Sequence, residues 1–169
     1  MVKLLGDIRG ADREQTDQVL SAVERLSGVA DFQTAYAGVR DILRYLCDLV
    51  DRQTRTRQQA LVEEMKEFIA SHMSDLALNR YMVASEFGLN ETYFSGFFRE
   101  HSGETFSDFL EKTRIQRALR LLAETTRTFT DIARELGYSS DKVFRRAFKR
   151  VTGSSPRAYR ERQAAQRRR

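Results

Sequence analysis

Apolar positions along this chain recur mainly at helical spacing, and no long alternating stretch of strand type interrupts them. Val19, Leu20, Val23 and Leu26 form a first short stripe, which Gly28 can end. Phe32, Tyr36, Val39, Leu43, Leu46 and Val50 then follow at steps of 4, 3, 4, 3 and 4, a heptad-like seam. Ala35, Ile42 and Leu49 widen that seam beyond a strict coiled coil. The spacing admits two outcomes: a homodimer through residues 32–50, or a hairpin folded back on the first helix. The polar run DRQTRTRQQ (51–59) lacks Gly and Pro, so it reads either as a solvated helix or as a flexible boundary. Leu61, Val62, Met65, Phe68 and Ile69 predict a further amphipathic helix, broken by SHMSDLALN (71–79).

From residue 79 the pattern repeats. Ala84 and Gly88 recur as Ala133 and Gly137, an offset of 49; Phe94, Phe98 and Gly103 recur as Phe144, Phe148 and Gly153, an offset of 50. One residue is therefore inserted in the second copy's turn. Each copy reads as helix, tight turn, helix. Asn79 is a suitable N-cap, and Thr128 with Asp131 resembles a capping box. The small residue, the Gly four positions later and the apolar flanks are what a helix-turn-helix needs. Val83, Phe87, Leu89, Phe94 and Phe97 are the expected inner face of copy one. Ile132, Leu136, Tyr138, Phe144 and Phe148 are that of copy two. Between them, TFSDFLEKTRIQRALRLL (105–122) predicts one long amphipathic helix that braces both.

Charge changes this picture. The net charge of +5 is unevenly placed: 0 over residues 1–58, −4 over 59–126 and +9 over 127–169. Copy two, GYSSDKVFRRAFKR, is basic, whereas copy one, GLNETYFSGFFRE, is nearly stripped of cations on the same apolar skeleton. A local basic excess on a helix-turn-helix points to double-stranded DNA.

GETFSDFLEKTRIQRALRLL, IARELGY and FRRAFKRVTGSSPRAYR resemble the linker helix and C-terminal signature of the AraC/XylS family of bacterial transcription regulators. Ile132, Ala133, Gly137, Phe144, Phe148, Gly153, Pro156 and Tyr159 stand at the family's spacing. The resemblance covers roughly residues 59–160. It implies a DNA-binding domain of two helix-turn-helix units whose second helices enter successive major grooves, about 34 Å apart. It also implies activation through RNA polymerase. Three positions depart from the pattern: Arg80 for an apolar residue, Lys142-Val143 for a Ser-Tyr pair, and Gly96 for an Arg.

The expected fold is all-α: two helix-turn-helix subdomains joined by a long linker helix, preceded by a helical hairpin or coiled-coil-like segment. The expected boundaries are 1–58 for that segment and 59–160 for the DNA-binding domain. Within the latter lie units at 79–102 and 128–152 and the linker at 105–123; 161–169 is a basic tail. RRR at 167–169 reads as a disordered end, either simply solvated or adding nonspecific attraction.

By position in the family motif, Thr92, Ser95 and Gly96 face the groove in copy one, and Lys142, Val143 and Arg146 in copy two. Arg and Lys donate to guanine O6 and N7, and Val meets a thymine methyl. Gly96 offers no side chain, so the expected base contacts are Lys142, Val143, Arg146, Thr92 and Ser95. Arg99, Arg145, Lys149 and Arg150 are assigned to phosphates, which add affinity without sequence information. Glu91 reads as a favourable charge in its helix's first turn.

Other chemistry finds little support. His72, His101 and Cys47 have no metal-ligand spacing, and there is no Gly-rich phosphate loop, so neither an enzyme nor a cofactor is expected. A single cysteine suits the reducing cytoplasm, and no apolar run is long enough to span a membrane. The rival reading is a helical protein-binding adaptor with a degenerate DNA-binding repeat.

Overall fold

The computed structural model describes residues 13–26 and 31–167. Gly28, expected to end the first helix, and the last two arginines lie outside the described residues. Within them the chain is helical, without a strand: α1 (Arg13–Leu26), α2 (Phe32–Ser71), α3 (Arg80–Glu86), α4 (Glu91–Ser102), α5 (Phe106–Glu124), α6 (Phe129–Glu135), α7 (Asp141–Thr152) and α8 (Pro156–Arg167). It divides into two compact units, Met1–Gln59 and Ala60–Arg169.

In the first unit, Val19 of α1 and Leu49 of α2 are buried, and the Tyr45 hydroxyl donates to Gln18 Oε1 at 2.9 Å. The hairpin therefore forms. It uses the flank of the seam, where Ala35 and Ile42 are partly covered, and within the seam Leu46 is partly covered as well. Phe32, Tyr36, Val39, Leu43 and Val50 stay 49–78% exposed. The polar run 51–59 is helical throughout, as part of a single 40-residue helix. Once a helix is nucleated on both sides, extending it through residues without Gly or Pro costs little.

The second unit holds two apolar cores. Val62, Met65 and Ile69 from the end of α2 pack with Val83, Phe94 and Phe98 of α3 and α4. Ile132, Leu136, Phe144 and Phe148 of α6 and α7 form the other. Helix α5 serves both: Phe106 and Leu110 enter the first core, and Ile115, Ala118, Leu121 and Leu122 the second. All five inner-face positions expected of copy two are buried. In copy one Phe87 and Leu89 are only partly covered, and Phe98, outside the expected face, is fully buried.

The tail expected from residue 161 is, as far as Arg167, the second half of α8. Pro156 takes the first helical position, where its missing N–H costs nothing. The Ser155 hydroxyl accepts from Ala158 N at 3.2 Å. Tyr159 lays its ring edge-on against Phe148, centroids 5.8 Å apart. Tyr159→Ala is expected to lower stability by about 1–3 kcal/mol, several degrees in Tm, before base preference changes. Thermal melts and a binding series on the same samples check the order of the two effects.

Candidate nucleic-acid interface

Each unit is closed by the same backbone device. Gly88 and Gly137 adopt φ of +65° and +73°, the left-handed region that L side chains resist. Across the turn, Leu89 N donates to Ala84 O at 2.8 Å, and Tyr138 N donates to Ala133 O at 2.9 Å. Asn90 and Ser140 then cap the reading helices α4 and α7, their side chains accepting from Tyr93 N and Val143 N. The expected Thr128–Asp131 box forms with one difference. Asp131 N donates to the Thr128 hydroxyl at 3.1 Å, but the Asp131 carboxylate accepts from that same hydroxyl at 2.6 Å.

The reading helices align at an offset of 50, so their outward faces can be compared residue by residue. In α7, Phe144, Ala147 and Phe148 are buried, which turns Lys142, Arg146 and Lys149 directly outward at 4,3 spacing. In α4, Phe94, Phe97 and Phe98 are buried, and Thr92, Gly96 and Arg99 take the corresponding outward places. The outward strip thus carries three cations in copy two and one in copy one. Lys142, Arg146, Lys149 and Arg99 make no side-chain hydrogen bond or ion pair with the described residues, which leaves their donors open.

The flanking positions are less open. Arg145 Nε donates to both Asp141 carboxylate oxygens, at 2.9 and 2.8 Å, and its guanidinium lies 4.9 Å from the Phe129 ring centre. Asp141 and Phe129 thereby fix the fork's direction. Arg150 is engaged by Glu111 of α5, Nε donating to Oε1 at 2.9 Å and Nη2 to Oε2. That bond holds the Arg150 guanidinium above its usual pKa. Arg150 is therefore tied to the linker helix, and a phosphate would compete with Glu111 for it. Ser95, the counterpart of Arg145, is partly buried and donates to Glu91 O at 2.8 Å, so its hydroxyl proton is already used. Val143 is 44% exposed at the side of α7. Arg80, one of the departures from the family pattern, pairs with Glu91 at 3.0 Å.

A family model described as a helix-turn-helix domain matches residues 83–162, which contain both reading helices. The C-terminal domain of AraT, a response regulator from Geobacillus stearothermophilus, is 31% identical with a TM-score of 0.58, over 59% of this chain and 83% of that one. This chain belongs to the AraC/XylS family of transcriptional regulators. The DNA-binding domain of the AraC-type neighbour AdpA, a global transcriptional factor solved with a target DNA, is 26% identical with a TM-score of 0.59, over 63% of this chain and 95% of that one. The HTH-type transcriptional regulator YijO of Escherichia coli is 32% identical over 130 residues, 76% of this chain. The present chain spans 46% of that relative's length. Its helix-turn-helix domain is of the AraC type.

Within this AraC-type domain one outward residue escaped the sequence reading. Tyr93 is the counterpart of Val143 at the offset of 50, is 53% exposed, and stacks on Phe97 at 5.8 Å. The signal was present, because the same offset that paired Phe94 with Phe144 also pairs Tyr93 with Val143. The Arg150–Glu111 tie had no such signal, since its partners are 39 residues apart.

Proposed function

We propose that residues 59–160 bind double-stranded DNA sequence-specifically, with α4 and α7 in successive major grooves and the second unit dominant. The observation that carries this reading is the matched pair of outward faces, three open cations against one. Lys142, Arg146, Val143, Thr92 and Ser95 are the proposed base contacts. Tyr93 joins them by its correspondence with Val143. Arg99, Arg145, Lys149 and Arg150 are the proposed phosphate contacts, with Arg150 released from Glu111 on docking. The likeness to the AdpA domain, which was solved with a target DNA, supports DNA binding here. Activation through RNA polymerase is the proposed output, supported by the family resemblance. The proposed compartment is the cytoplasm, where the exposed Cys47 thiol stays reduced.

A mobility-shift titration on random duplex tests DNA binding directly. Affinity is expected to fall steeply with salt, log K dropping about 0.9 per tenfold change in salt for each phosphate contacted. Binding that is absent, or indifferent to salt, would replace this reading with the adaptor.

The exposed seam on α2 supports a second partner, another copy of this chain. Five large apolar side chains at heptad spacing remain open after α1 has packed on the flank. Pairing of two such seams covers them as a coiled coil does. Sedimentation at tens of micromolar is expected to show a dimer that Leu43→Glu and a 59–169 truncation both abolish. Monomers throughout would end the homodimer proposal.

A further inference from the structure

We infer that Arg114 is a positioning residue that locks the two helix-turn-helix units at one separation, so that the chain accepts DNA half-sites at a single spacing. The spacing consequence rests on the reading that both units dock on one duplex; the lock itself does not.

Arg114 stands on α5 where the helix passes from one core to the other, between Leu110 of the first and Ile115 of the second. Its Nε donates to Met73 O at 2.8 Å, and its Nη2 to Asp75 O at 3.2 Å. Both carbonyls follow the end of α2 at Ser71. That C-terminus carries the negative end of the helix dipole and has no basic residue of its own in its last turn. Arg114 supplies the cation from another element. The same guanidinium lies 5.4 Å from the ring centre of Tyr138, in the turn of copy two. One side chain therefore touches the loop before copy one and the turn of copy two. Met73 is shared in the same way, packing against both cores.

Comparison of the two turn glycines supplies an independent observation. Both need a positive φ, but a Cβ on Gly88 would meet nothing within 4 Å. A Cβ on Gly137 would lie 2.7 Å from Arg114 Nη2, 2.8 Å from Met73 O and 2.9 Å from Ser74 O. Two of those three neighbours are backbone and cannot swing away. The turn as such does not require this crowding, because copy one makes the same turn without it. The closeness belongs to the docking of one unit on the other. Burial lowers the pKa of Arg114 and pushes that of Tyr138 up to about 12, so the guanidinium faces a neutral phenol and depends on the two carbonyls for its hydrogen bonds.

With this contact in place, α5 is not the sole bridge between the cores, and rotation of one unit about the helix waist is blocked. One inserted base pair moves a half-site about 3.4 Å along the duplex and about a tenth of a turn around it. A locked pair of reading helices cannot follow that change; an unlocked pair can.

Two arms test this on the full chain. In the first, Cys47→Ser carries spin labels at Glu100→Cys and Val151→Cys, both exposed and near the ends of the reading helices. Pulsed dipolar spectroscopy is expected to give one narrow distance. Arg114→Met, which removes the donors and keeps the length, is expected to broaden it, and Arg114→Lys to restore part of the sharpness. In the second arm, duplexes are selected from a random pool. The parent chain should enrich one spacing between its two half-sites and lose about tenfold in affinity, comparable to a mismatched pair, when one base pair is inserted. Arg114→Met should enrich several spacings. Where Arg114→Met does not fold, Arg114→Leu and Gly137→Ala carry the same comparison. An unchanged narrow distance in folded Arg114→Met, or in the variant that replaces it, overturns the lock. A single retained spacing overturns its consequence for DNA. If the parent chain enriches no duplex, the DNA-binding reading fails, and with it the spacing claim, while the distance arm still decides the lock.

Discussion

Phe148→Ala is expected to cost about 3–5 kcal/mol of folding stability, the range for emptying a fully buried aromatic site. The ring is wholly inaccessible and meets Phe144 and Tyr159, each with centroids 5.8 Å away. Neighbours from α6, α7 and α5 are themselves buried around it, so little can move in to fill the space. Against a usual domain stability of about 5–15 kcal/mol, such a loss brings the second unit close to unfolding at growth temperature. Phe98→Ala should cost a similar amount in copy one, where the ring is equally inaccessible and meets Phe94 at 5.6 Å and Phe109 at 5.7 Å. Urea unfolding of both variants checks this. A loss below 1 kcal/mol at either site would mean that its core collapses easily or is not formed as described.

That symmetry of cost explains why so much of the fold was legible. Ala84, Gly88, Phe94 and Phe98 are dictated by the crossing of two short helices, so they return in copy two as a skeleton wherever the same crossing is built. Caps were legible for the same reason: Asn79 accepts from Met82 N as expected. What escaped the reading depends on contacts without local period. For the polar run 51–59 the sequence admits a solvated helix or a boundary, and with no apolar stripe to choose between them the structure decides for the helix. Residues 161–167 are polar apart from Ala164 and Ala165, and they stay helical behind Pro156 and Tyr159. At the candidate site, Thr92, Gly96, Lys142 and Arg146 were placed outward by the family motif, whereas Ser95 is partly buried and Arg99 and Lys149 complete the outward strips. The partners of Arg145 and Arg150 required the third dimension. So did the occupied hydroxyl of Ser95, which lies one helical turn after its acceptor.

The asymmetry between the copies should appear as an asymmetry in binding. Arg146 occupies the centre of the outward strip of α7 with its donors open, so Arg146→Ala is expected to cost about 1–3 kcal/mol at one base position and to relax preference there. Arg145 is aimed from the side by Asp141 and Phe129, a geometry suited to a phosphate. Arg145→Ala should weaken all sequences alike and reduce the salt slope by about 1. In copy one the corresponding centre is Gly96, which has no side chain to lose. Thr92→Ala and Ser95→Ala should each cost less than Arg146→Ala, Ser95 least, because its proton already goes to Glu91 O. Tyr93 is the large apolar side chain that the copy-one reading helix exposes, at 53%, so Tyr93→Ala should exceed both. An affinity series on selected and scrambled duplexes at several salt concentrations measures all of these together. Should the copy-one substitutions match Arg146→Ala in cost, charge on the outward strip would not set the ranking. The first unit would then hold its DNA through backbone amides, water or duplex shape, none of which a side-chain census of α4 displays.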